Sequence, residues 1–114
     1  MARSTLPRPP RHLSREVAQW WRTVTADYDL EPHHLRLLRA ACEAWDRMQQ
    51  AREEVAAHGS LTVTTSRGDL KPHPSLGVER DCRLQFARLV RELDLDAGAP
   101  SEGRRPPPLA SNRG

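Results

Sequence analysis

Apolar residues recur at steps of three and four in three separate stretches of the chain, the spacing of one helical face. The first stretch carries Val17, Trp20, Trp21, Val24 and Tyr28. Ser14 suits its N-cap, with Leu13 and Ala18 placed to close over the first turn as a hydrophobic staple. Asp27-Tyr28-Asp29-Leu30 makes a short connection. Pro32 then opens a second helix, because its fixed φ suits a first turn. That helix runs through Leu35, Leu38, Cys42, Trp45, Met48 and Val55, and Gly59 can end it in the left-handed conformation. Roughly 26 residues give about 39 Å at 1.5 Å per residue. The period then changes. Leu61-Thr62-Val63-Thr64-Thr65 is β-branched, Ser66-Arg67-Gly68-Asp69 is turn-like, and Leu70-Lys71 returns. This predicts a hairpin, closed by Pro72-His73-Pro74 because proline cannot extend a ladder. A third helix begins near Pro74 or Ser75, with Val78, Cys82, Phe86, Leu89 and Leu93 on one face.

The fold expected is mainly α, a three-helix core with a small β-hairpin between the second and third helices. A bare two-stranded hairpin is marginal in water. The second helix also carries Leu37, Ala40, Ala41, Ala44 and Ala51 beside its main stripe, more than two short partners cover. Both features predict a homo-oligomer in which neighbours finish the burial.

Composition sharpens the boundaries. The 114 residues suit one domain and carry a net charge of +3. Lys71 is the only lysine among 18 cations. Residues 1–12 hold Arg3, Arg8, Arg11 and three prolines but no acid, which reads as a basic disordered arm. Residues 98–114 hold four prolines, three arginines and Glu102, which reads as a disordered Pro/Arg-rich tail. The core domain, 13–97 with its hairpin at 60–72, has 12 cations against 14 acids. The excess positive charge therefore lies at the ends. No apolar run approaches the ~20 residues of a membrane span. The N-terminus has no apolar stretch of a signal peptide, and a location in the host cytoplasm is expected.

Candidate chemistry is sparse. Nothing matches a phosphate-binding G-x-x-x-x-G-K-[ST] or G-x-G-x-x-G loop, so no ATP hydrolysis, and no cofactor, is expected. His33 and His34 are adjacent and point about 100° apart on a helix. Cys42 and Cys82 fall on apolar stripes and read as core residues, with no metal-ligand spacing around them. Asp27, Asp29 and Glu31 sit where a helix N-terminus favours carboxylates. Of Trp20 and Trp21, one belongs to the core and the other to a subunit interface. Arg22, Arg47 and Arg52 are interleaved with acids, as on a solvated surface. Arg3, Arg8, Arg11 and Arg15 are not, and such an arm attracts phosphates through counterion release. Arg36 and Arg39 lie near the start of the second helix. There a tight connection between two helices permits a helix-turn-helix variant. These six arginines are the candidate DNA-binding residues. Trp21, Leu61, Val63, Arg67 and Lys71 are the candidate oligomer-interface residues, because hairpin edges carry unpaired backbone groups.

The chain resembles the small subunit of phage terminases over about residues 7–96. The resemblance rests on the early helix with Trp20-Trp21 and its Asp-Tyr-Asp-Leu link, and on Leu35-x-x-Leu38-x-x-x-Cys42-x-x-Trp45. Its most specific part is Gly59-x(8)-Gly68-x-x-Lys71-Pro72-His73-Pro74, and Phe86-x-x-Leu89-x-x-x-Leu93-x-Leu95 closes it. The family often continues there as Leu-Gly-Leu, whereas this chain has Leu93-Asp94-Leu95. The resemblance implies a non-enzymatic protein that recognises double-stranded viral DNA and assembles as a ring. It also implies regulation of a large subunit that holds the packaging ATPase and nuclease. No membrane and no small-molecule substrate is expected. The alternative is a small helix-turn-helix transcriptional regulator, most simply a dimer on a palindromic site.

Overall fold

A computed structural model describes residues 6–95 of the chain. The elements are α1 (Arg15–Asp27), α2 (Pro32–His58), β1 (Thr62–Thr64), β2 (Leu70–Pro72) and α3 (Pro74–Leu93). The protein is mainly helical, with a two-stranded antiparallel sheet between α2 and α3.

Each helix starts and stops on local chemistry. The Ser14 hydroxyl accepts from the Val17 N–H at 3.2 Å, while Leu13 is buried and Ala18 packs against the same cluster. Asp46 of α2 adds what periodicity does not show. One carboxylate oxygen accepts from the Ser14 N–H at 2.8 Å and the other from its hydroxyl at 2.6 Å. A carboxylate on α2 thus grips the residue that starts α1. At the start of α2, His34 Nδ1 accepts the Glu31 N–H at 3.1 Å. Gly59 ends α2 at φ 85°, donating to the Val55 carbonyl. His73 caps α3, its Nδ1 accepting the Ser75 N–H at 3.0 Å. α3 ends on Asp94 at φ 49°, the one non-glycine residue at positive φ among those described.

Burial divides the molecule in two. At one end Leu13, Val17, Trp21, Val24, Leu38, Cys42 and Leu93 form a single buried cluster. Away from it, α2 and α3 pack along a thinner seam of Ala41, Ala44, Met48, Ala51, Ser75 and Cys82. Small side chains there let the helix axes approach closely. Trp20, Trp45 and Phe86 bridge the two regions, with Phe86 5.7 Å from Trp20 and 5.0 Å from Trp45 between ring centroids.

The hairpin pairs Val63 with Lys71, flanked by Thr62 with Pro72 and Thr64 with Leu70. Leu61 accepts from the His73 N–H, and Asp69 from the Thr65 N–H. Hydrogen-bonded pairs alternate along an antiparallel ladder, so the backbone groups of Thr62, Thr64, Leu70 and Pro72 face outward. Most of these are already blocked. Pro72 has no N–H. The Thr62 N–H donates to Ser60 Oγ at 3.2 Å, and its carbonyl lies 3.1 Å from His58 Nε2. The edges therefore offer much less to a neighbouring strand than the sequence suggests. The turn uses Gly68 at φ 91°, whose N–H donates to the Thr65 carbonyl. This is a three-residue loop with glycine in its left-handed place.

The basic arm departs from the sequence reading. The sequence predicts a free arm through residue 12; from Leu6 to His12 the chain instead lies on the helices. Trp21 Nε1 donates to the Pro7 carbonyl at 2.9 Å, and the Leu13 N–H to the Pro10 carbonyl at 3.3 Å. A buried indole N–H needs an acceptor, and proline carbonyls, free of any helix, supply it. Arg3 and the tail at 98–114 lie outside the described residues.

Candidate nucleic-acid interface

The candidate arginines fall into two groups. Arg8 and Arg11 are exposed on the docked arm, and Arg15, also exposed, is the first residue of α1. Arg36 and Arg39 are exposed on the second and third turns of α2. Glu43 joins the groups. One of its oxygens lies 2.7 Å from His12 Nε2 and accepts from Arg39 Nε at 3.1 Å. The arm therefore ends beside the α2 turn that carries Arg39. Burial raises the affinity of the Glu43 carboxyl for a proton, but the hydrogen bonds from Arg39 and His12 outweigh it and hold it below the usual carboxylate range. Arg39 is thus partly neutralised, whereas Arg36, Arg8, Arg11 and Arg15 make no ion pair among the described residues.

The candidate interface residues separate as well. Leu61 is 63% exposed, Arg67 and Lys71 are exposed, and Val63 is half-buried. Trp21 is 4% exposed and lies inside the subunit. Its place is the core, where it holds the arm, and the half-buried member of the pair is Trp20. The two tryptophans are adjacent in sequence, so periodicity alone does not choose between them. Sequence reasoning misses Leu70, which is 70% exposed and shares a hairpin face with Thr62, Thr64 and Pro72. Alternation along the strand is the signal that finds it.

Catalytic groups do not converge. Among the described residues no three His, Cys, Asp or Glu side chains gather as a cation site. The Cys42 thiol is pushed up to about 12 by burial, with Asp46 and Glu43 adding to the effect. It stays protonated and is a poor nucleophile or metal ligand. The His58 and His73 rings lie edge-on at 5.0 Å, but each is engaged in backbone bonding where the hairpin meets the helices. No helix among the described residues is long and apolar enough to cross a membrane.

What emerges is a small helical protein with basic residues gathered at its arm and an uncovered hairpin at the junction of its two longest helices. The chain matches the family model described as phage terminase, small subunit, over residues 18–105, and it belongs to that family. No curated protein and no solved structure matches it.

Proposed function

We propose that this chain binds double-stranded viral DNA and regulates the terminase large subunit, without catalysis of its own, as a closed homo-oligomeric ring. The family match carries the reading. The arm and the start of α2 supply the DNA contact through Arg3, Arg8, Arg11, Arg15 and Arg36, with Arg39 shared between DNA and Glu43. Phosphate contacts of this kind position a protein on a duplex without reading sequence. Each is weak, and a ring multiplies them by avidity. The hairpin supplies the subunit contact through Leu61, Val63, Arg67 and Lys71, and through the face that carries Leu70. Its partly blocked edges favour side-chain packing over strand addition. Native mass spectrometry near physiological ionic strength tests the assembly. A single closed species well above a tetramer is expected. A monomer or dimer at all concentrations would overturn the ring and favour the transcriptional regulator.

A further inference from the structure

A second acid-free basic run lies on α3. Between Cys82 and Arg91 the chain has three arginines and no carboxylate. Ser75, Glu79, Cys82, Phe86, Leu89 and Leu93 form the face of α3 turned to α2, all buried or half-buried. At 100° per residue, Arg80, Leu84, Ala87, Arg88 and Arg91 fall on the opposite face, and all five are exposed. Arg80 reaches Asp81 at 3.7 Å and Arg83 reaches Glu79 at 3.6 Å. Arg88 and Arg91 make no ion pair among the described residues. Arg91 is favoured by the dipole at the last helical turn. Arg88, more than a turn from the end, gains little from it.

We propose that this outer face of α3, centred on Arg88 and Arg91, is a sequence-independent contact for the phosphate backbone of duplex DNA. The inference rests on the DNA-binding reading above and adds a surface to it. From Arg80 to Arg91 the helix rises roughly 16 Å, the axial length of four or five phosphates on one strand. A protein partner would need a desolvated apolar centre with charges at its rim. Here the order is reversed, with arginines at the centre and Leu84, 56% exposed, as the one large apolar side chain between them. A phosphate row asks only for charge at a regular spacing on a rigid support.

The test is fluorescence anisotropy of a labelled random-sequence duplex with the full-length protein across a salt series. Three variants are compared with the wild type: R88A/R91A, R88K/R91K, and R8A/R11A on the arm. The slope of log affinity against log salt is expected to become shallower by about 1.8 in R88A/R91A, roughly 0.9 for each phosphate no longer neutralised. R88K/R91K keeps the charge and is expected to keep the slope. If the wild type and R8A/R11A bind no duplex, the DNA-binding reading fails, and this inference with it. If the wild type binds and R88A/R91A leaves the slope unchanged, the inference fails alone. If R88A/R91A instead dissociates the oligomer seen by native mass spectrometry, the face belongs to a second copy and the inference is overturned.

Discussion

Trp21 shows how one polar atom organises a neighbourhood. Its ring fills the core, and its N–H fixes the arm through the Pro7 carbonyl. Trp21→Phe keeps most of the apolar volume and removes the donor. A loss of about 1 kcal/mol in unfolding free energy is expected, together with faster tryptic cleavage after Arg11. Unchanged cleavage would show that the arm is held by other contacts. Glu43 makes a second prediction at this scale. Its proton affinity is lowered in the folded state, so its contribution is present above the ordinary carboxylate range. That contribution is lost as pH falls through the lowered value. The side chain is 40% exposed, so the effect belongs with surface pairs, at most about 1 kcal/mol. Denaturant unfolding at several pH values should show Glu43→Gln losing stability near neutrality and converging with the wild type in acid. A constant difference at all pH values would contradict the ion-pair account. Cys42, protonated and buried, is expected to resist iodoacetamide until the protein is unfolded.

Helix boundaries are legible in the sequence because they depend on near neighbours. Ser14, Pro32, Gly59 and Pro74 each act within one turn of their own position, and each stands where the chain pattern places it. The capping role of His73 is not legible, since a ring nitrogen accepting a backbone N–H leaves no periodic trace. The two left-handed C-terminal positions give opposite predictions. A Cβ at Gly59 would meet nothing within 4 Å, so Gly59→Ala is strained by conformation alone and should cost about 1 kcal/mol. Asp94 holds the same kind of position with a side chain, at the place where the resembled family often has glycine. Asp94→Gly removes that strain against the backbone freedom of glycine, and a gain of up to about 0.5 kcal/mol is expected. Thermal melts of the two variants should shift in opposite directions; a shift in the same direction would refute the argument.

For the whole molecule, the chain pattern locates the three helices and the hairpin but not how the ends pack. The reason is physical. The arm docks because a buried indole needs an acceptor, and nothing in the spacing of Pro7, Pro9 and Pro10 says that one of them meets Trp21. The same limit applies to Asp46, which reads as a surface carboxylate yet binds Ser14 from 32 residues away. What the subunit leaves uncovered is the hairpin. Leu61→Asp with Leu70→Asp puts charge on side chains that make little contact within the subunit. Native mass spectrometry should show the oligomer shifting to smaller species, while circular dichroism shows unchanged helicity. An intact oligomer would remove the hairpin from the proposed interface.

The blocked hairpin edges have a consequence for the cell that makes this protein in quantity. A strand with open edges is a template: each copy added exposes a fresh edge for the next, and growth has no natural end. With Pro72 on one side, and Ser60 and His58 occupying Thr62 on the other, that chain reaction lacks its first step. The tip can be adhesive without being self-propagating. Copies can crowd together at high concentration and still part again, which a component that must assemble to a fixed number and no further requires.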